Sequence, residues 1–312
     1  MDLPSDATTS DPWFDWLMRH RHAGDAAHGQ RVRVDVASYA DRVLDGAALR
    51  EGMTLVDLGA GDGLVGLRAI ERVGASLRVI MVDISALLLR QAEESARMRG
   101  VLQQCTFLVS SAECLDGLED GSVDAVTTRS SLAYVADKKA VLRGCFRILK
   151  PGGRISLAEP SFRDNALAAA SMKIRLENGE RDPSKSILPF LHRWQSAQYP
   201  DTQEGIQSTP ITSYTERDLL QWAQAAGFRE LHLELHISVS NSYRTTWGVF
   251  LDSSPHPLAP SLRTILGERF TAEERQLFEA VFRPMVESSE LAETDRMIYL
   301  RAMKPQDISA ER

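Results

Sequence analysis

Leu55-Val56-Asp57-Leu58-Gly59-Ala60-Gly61-Asp62-Gly63 is the stretch on which the reading of this chain turns. An apolar run ends in an acid and then places glycine at every second position. Leu64, Val65, Leu67 and Ile70 follow at helical spacing. The pattern is a buried strand, a tight loop and a helix. Alternate glycines let the backbone turn sharply and let a ligand approach main-chain atoms. The helix start adds free N–H groups and a partial positive charge. Such a loop suits a phosphate or a carboxylate.

Spacing separates two kinds of ligand. A dinucleotide loop reads G-x-G-x-x-G, with the last glycine serving helix–strand packing. Here Leu64 holds that place, and Gly66 does not restore the spacing. Asp57 would repel a pyrophosphate and suits a cationic ligand. The string D-x-G-x-G-x-G resembles the first motif of class I S-adenosylmethionine (SAM) methyltransferases. That resemblance places Asp57 near the methionine amine. It places Gly59, Ala60, Gly61, Asp62 and Gly63 beneath the methionine part of the cofactor.

Further matches come in the family's order. Leu77–Val82 reads as a second buried strand ending at Asp83, about 20 residues past the loop, where an acid accepts ribose hydroxyls. Ile84 is expected to pack on the adenine. Cys105–Val109 reads as the third strand, and the resemblance puts Ser111, Ala112 and Glu113 at the adenine edge. Val123–Arg129 reads as the fourth strand, and the resemblance puts Arg129 and Ser130 where the loop after it meets the methionine end and the acceptor. Leu149-Lys150-Pro151-Gly152-Gly153 precedes a fifth strand over Arg154–Glu159. This run is typical of small-molecule methyltransferases resembling the ubiquinone and menaquinone biosynthesis type. The implied fold is α/β and Rossmann-like: a seven-stranded, mostly parallel sheet, its last strand antiparallel, with helices on both faces. Thr128-Arg129-Ser130-Ser131 stands where amino methyltransferases of DNA often carry an N-P-P-Y-like tetrad, which argues against that activity.

The 312 residues are read as one methyltransferase domain. Residues 1–52 form a helical cap, with Asp11 capping a helix at Pro12 and a second helix from about Val32 to Leu44. The core is 53–159. Residues 160–212 are too long for a plain loop and read as a helical substrate lid. The end of the sheet is 213–240 and 291–303, with a capping box at Thr215-Glu216-Arg217-Asp218. Between them, 241–290 is a helical insertion. Its stripe of Leu277, Phe278, Val281, Phe282, Met285 and Val286 is expected to pack on the lid or on a second subunit, a candidate homodimer contact. The polar tails, 1–11 and 304–312, are expected to be loose.

A net charge of −7 is a poor prior for nucleic-acid binding and favours a small-molecule partner. No run reaches the length of a membrane span, and the three cysteines show no C-x-x-C spacing. Both point to a cytoplasmic protein with reduced thiols. No metal is expected, since His20 and His22 lack further ligands and read as pocket rim or helix surface.

Methyl transfer from a sulfonium is an in-line displacement that needs alignment and exclusion of water. A base is required only for some acceptors. His192 in the lid, Tyr134 after strand four and Glu159 at the end of strand five are the catalytic candidates. The leading expectation is a SAM-dependent methyltransferase acting on a small, partly apolar organic molecule. A SAM-binding scaffold without chemistry and an NAD(P)-dependent oxidoreductase are the alternatives.

Overall fold

The structure is a computed structural model that describes residues 11–179, 187–242 and 245–306. Of the tails expected to be loose, 1–10 and 307–312 lie outside these; Asp11 instead caps a helix, and Lys304 is tied down, its N–H on the Gly153 carbonyl at 2.9 Å and its Nζ on the Leu149 carbonyl at 2.7 Å.

Helix α1 (Pro12–Asp15) starts as the sequence predicts, with Asp11 accepting from the N–H groups of Trp13 and Phe14. It runs on as a π-turn over Trp16–His20, closed by the Arg21 N–H on the Trp16 carbonyl. Helix α2 spans Ala26–Ala47, longer at both ends than the predicted Val32–Leu44. Then β1 (Thr54–Leu58), α3 (Leu64–Val73), β2 (Arg78–Asp83), α4 (Ala86–Met98), β3 (Cys105–Val109) and β4 (Val123–Arg129) alternate as expected. Helix α5 (Lys138–Ile148) leads directly into β5 (Leu149–Pro160).

The run Lys150-Pro151-Gly152-Gly153 bulges out of β5. Val123 pairs with Leu149, and the register resumes at Ala125 with Arg154. Lys150 Nζ holds Asp124 at 2.8 Å, and Asp124 accepts the Thr54 N–H at 2.8 Å, which ties the bulge to β1. A Cβ on Gly153 would lie 2.9 Å from the Lys150 carbonyl oxygen, so the bulge admits only glycine there.

The stretch read from the sequence as a lid, 160–212, holds α6 (Arg163–Glu177), α7 (Leu188–Gln198) and α8 (Gln203–Ser208). Helix α9 (Glu216–Ala226) carries both halves of the predicted capping box. After β6 (Arg229–Asn241) come α10 (Trp247–Asp252), α11 (Leu262–Arg269), α12 (Ala272–Ser288) and β7 (Ala292–Met303). The sheet order is β3-β2-β1-β4-β5-β7-β6, with β1 to β5 parallel and β7 running against both its neighbours. This is the predicted seven-stranded sheet.

Two features reach beyond the core. β7 pairs with β5 only as far as Met297 on Pro160, whereas the β6–β7 ladder continues to Asn241 on Ala292. This two-stranded arm therefore overhangs the C-terminal edge of the sheet. The apolar face of β6 is covered as far as Leu233, but Ile237 and Val239 stand 57% and 72% exposed, since among the described residues no layer extends beneath the arm. The insertion packs on the lid, as one of its two predicted uses had it. Phe278, Phe282 and Val286 of α12 join Phe190 of α7 and Trp247 of α10 in one core, with Leu191 and Trp194 against it.

Candidate active site

A cavity of about 660 Å³ opens at the C-terminal ends of β1, β2 and β4. That is where open α/β sheets bind ligands, and the size lies in the range of small-molecule sites. Its floor is the glycine loop. Gly59, Gly61 and Gly63 all have positive φ, and a Cβ on Gly59 would meet Ser131 Oγ at 1.9 Å. Gly61 faces open space, with only Leu17 of the π-turn near it, at 3.8 Å from an added Cβ.

Asp83 lines the cavity, accepting from Gly61 N–H at 2.8 Å and Ser85 N–H at 2.9 Å. Burial holds its carboxyl above the usual range, against these hydrogen bonds. Beside it Ile84 is 54% exposed into the cavity, an apolar surface without a cover. Ser111, Ala112 and Glu113 form the adjoining wall, with Glu113 fixed by the Asp137 N–H at 2.8 Å. On the other side Ser130 takes a left-handed conformation (φ 51°), bonded to the Ala158 carbonyl, and turns the chain so that Arg129, Ser130 and Ser131 face inward.

Of the predicted cofactor residues, all but Asp57 and Gly63 line this cavity. Asp57 is wholly buried beneath the loop. It accepts from Gly66 N–H at 2.9 Å and the Thr127 hydroxyl at 3.1 Å. Burial pushes its carboxyl up to about 6. It ties α3 to the sheet and does not reach the cavity. Gly63 packs instead against α4, where an added Cβ would lie 3.0 Å from Ala92 Cβ. The role that a dinucleotide loop gives its last glycine falls to Gly66. A Cβ there would lie 2.8 Å from Met81 Cε, so Gly66 permits the close approach of α3 to β2.

The catalytic candidates separate. Tyr134 lines the cavity, its ring edge-on to Trp13 at 5.1 Å. Burial, together with Glu159, raises its phenol well above neutral, so the hydroxyl keeps its proton at neutral pH. Glu159 does not line the cavity. It is fully buried, accepting from the N–H groups of Ser131 (3.1 Å) and Ala133 (3.0 Å) and from the Thr128 hydroxyl (3.2 Å), and so holds the turn that presents Tyr134. His192 lies in the lid, bonded to Asp201 at 2.9 Å and away from the cavity lining. A long lid gave no sequence signal for which face turns inward.

Several lining residues carried no prediction. Trp13, Trp16 and Leu17 roof the cavity, and Arg21 reaches it between the predicted rim residues His20 and His22, neither of which lines it. The π-turn adds a residue to the turn just before Arg21, an irregularity frequent at functional sites. Trp16 Nε1 donates to the Ser254 carbonyl at 3.0 Å, and Ser254 N–H donates to the His20 carbonyl at 3.1 Å. Through Ser254, Pro255 and Pro257 the insertion becomes part of the wall. Phe162 stands 6.4 Å from Tyr134 and completes an aromatic side. The overhanging arm contributes Glu293, Asp295 and Met297, with Asp295 taking the hydrogen bond of Tyr39. The roof falls within residues 1–52, read from the sequence as a helical cap. Nothing in the sequence marks the arm. Among the described residues, no group of three or more His, Cys, Asp or Glu is arranged to hold a metal, and no helix is long and apolar enough to cross a membrane.

Comparison with known proteins bears on this geometry. Over 116 residues the chain is 34% identical to the ubiquinone/menaquinone biosynthesis C-methyltransferase UbiE of Enterobacter sp. (strain 638), covering 37% of this chain and 46% of that protein. It is 33% identical to the same-named protein of Idiomarina loihiensis over an equal stretch. The matched stretch thus spans about half the length of these relatives. Among solved structures, the YcgJ protein from Bacillus subtilis superimposes with a TM-score of 0.54 at 15% identity, covering 86% of this chain and 99% of that one. The cyclase SpnF gives 0.50 at 20% identity, covering 87% and 81%. At such identities these two share the fold. A family profile described as a methyltransferase domain matches residues 49–227, from the loop before β1 to the glycine that closes α9. The chain therefore belongs to the methyltransferase-domain family, in the class I SAM-dependent type that its glycine loop resembles.

Proposed function

We propose that this protein transfers a methyl group from SAM to a small, partly apolar organic acceptor. One observation carries the reading: a single cavity joins a nucleoside-type half, built on Asp83, Ile84 and the glycine loop, to an aromatic half walled by Trp13, Tyr134 and Phe162. The residues present fit the cofactor. Asp83 offers a carboxylate to ribose hydroxyls, and exposed Ile84 offers an apolar face to a base. Among the described residues, the buried Nε of Arg129 has no partner, and Arg129 lines the end where a carboxylate would lie. When bound, SAM supplies a methyl group on a positive sulfur that departs as a neutral thioether.

The chain's own part is to bind, align and exclude water. Arg129 and Ser130 orient the methionine end. The roof of Trp13, Trp16 and Leu17, held to the insertion through Ser254, shuts out solvent. Tyr134 remains protonated and donates to the acceptor or steers it. Neither Glu159 nor His192 is assigned a part in the chemistry.

Titration calorimetry with S-adenosylhomocysteine and with NADH tests the cofactor. Binding of the first and none of the second is expected, and the reverse would sink the reading. Turnover over a panel of small phenols, carboxylic acids and amines, read as S-adenosylhomocysteine formed, tests the transfer. SpnF shows that this fold also carries a cyclase. Cofactor binding without product from any acceptor would therefore favour a binding or non-transferring role.

A further inference from the structure

Arg21 is left over by the cofactor assignment. Its guanidinium lines the cavity, stacked 5.4 Å from the centre of the Trp16 ring. Among the described residues, no carboxylate comes within ion-pair distance of Arg21 or of Arg129. Among the same residues Arg129 reaches only the hydroxyl of Ser130, at 3.3 Å, and its Nε has no partner. The two guanidinium groups are neighbours, and burial together with the charge of Arg129 lowers Arg21 to about 10. Asp62 of the glycine loop is the acid that offsets this, with the phenols of Tyr134 and Tyr39 also near. Two like charges in one cavity wall are strained until an anion enters. The cofactor brings one carboxylate, and Arg129, the last residue of β4, is placed for it. Arg21 comes instead from the roof, next to the aromatic side where Trp13 meets Tyr134.

We propose that Arg21 recognises the acceptor, and that the acceptor binds as an anion: a carboxylate, or a phenolate or enolate that has already lost its proton to water. This rests on the methyl-transfer reading above. It also accounts for the lining's chemistry. Among the described residues the lining contains no histidine, and its tyrosines, Tyr39 and Tyr134, are both raised by burial. An acceptor held as its anion needs no base. Its oxygen or carbon forms the new bond to the methyl carbon, the carbon–sulfur bond breaks with its electrons staying on sulfur, and no proton moves in that step.

The anion at Arg21 has two sources, the cofactor's carboxylate and the acceptor's own charge, and the test separates them. The affinities of S-adenosylhomocysteine and of 5′-methylthioadenosine, which lacks the amino-acid tail, are measured for wild type, Arg21→Gln, Arg21→Lys and Arg129→Gln. The preference for S-adenosylhomocysteine is expected to persist in both Arg21 variants and to fall at least tenfold in Arg129→Gln. Loss of that preference in Arg21→Gln would assign Arg21 to the cofactor and overturn the proposal. Protein saturated with S-adenosylhomocysteine is then titrated with salicylate and with salicylamide. Wild type should bind the anion at least tenfold more tightly than the amide. Arg21→Gln should lose that difference, and Arg21→Lys should keep part of it. Equal binding of the two probes by wild type, or no binding of salicylate, overturns the proposal while leaving the cofactor reading intact. Failure of wild type to bind S-adenosylhomocysteine would defeat the underlying reading instead.

Discussion

Replacing Asp57 by Asn should make the protein more stable at neutral pH and leave its cofactor site almost untouched. The carboxyl is wholly buried and sits at about 6, against an ordinary 3.8, with burial as the leading cause. That difference corresponds to roughly 3 kcal/mol against the ionised form in the folded protein. The sign follows from proton binding. The folded state holds this proton more tightly than the unfolded chain, so the group's contribution is complete below pH 3.8 and is lost as pH rises through about 6. An Asn side chain keeps both contacts. Its carbonyl accepts from Gly66 N–H, and its amide donates to the Thr127 hydroxyl, which can turn its own hydrogen to the Val56 carbonyl 3.5 Å away. Urea unfolding of wild type and Asp57→Asn at a series of pH values gives the test. Asp83 and Glu159 are also raised by burial, so the wild-type curve sums several groups and the difference between the two proteins isolates Asp57. That difference should move in favour of the variant by up to about 3 kcal/mol between pH 4 and pH 7. Affinity for S-adenosylhomocysteine should change by no more than a few-fold. A difference that does not vary with pH, or a variant that loses ground as pH rises, would refute the account. A collapse in cofactor affinity would return Asp57 to the role that the family resemblance implies.

Asp83→Ala removes the carboxylate from the cavity and releases Gly61 N–H. Affinity for S-adenosylhomocysteine should fall tenfold or more, the loss of charge-assisted bonds worth roughly 1.5–3 kcal/mol, as calorimetry would show. Gly59→Ala puts a Cβ 1.9 Å from Ser131 Oγ at a φ of 69°. Stability should drop by at least about 2 kcal/mol in denaturant unfolding, and a wild-type midpoint would contradict the packing described. Tyr134→Phe should lower kcat without altering its pH profile between about pH 6 and 9, since the raised phenol stays protonated there. A profile that loses a limb would make Tyr134 a proton acceptor.

The core was legible because its signals are local. Strand β1 and its glycine loop, the acid ending β2, and the capping box of α9 each fall within a few residues, and they appear where the sequence places them. Asp57 shows the limit of that reading. Its position in the motif is right, but alternation along β1 turns its side chain beneath the loop toward Gly66 and Thr127. Spacing along the chain does not reveal that direction. His192 and Glu159 show the same limit in the lid and at the end of β5: the residue type suited chemistry, and the fold spent each on a structural contact. Arg21, Phe162 and Glu293 were invisible for another reason. They enter the cavity through a π-turn, a lid and an overhanging arm, and none of these leaves a period or a motif in the sequence.

The contact between Trp16 and Ser254 joins residues 238 positions apart. Both lie outside the stretch, 49–227, that the methyltransferase profile covers. As the chain leaves the ribosome, β1 to β5 can pair and bury their side chains while the cavity is still an open trough. Trp16 and His20 are made early and must wait for Ser254 before their carbonyl and indole find partners. β7, the antiparallel strand that carries the arm, emerges later still. The ligand chamber is thus the last part of the molecule to be finished. A nascent or truncated chain ending near residue 227 would keep the glycine loop and Asp83 but lack the far wall, a cofactor cradle with no room closed around it.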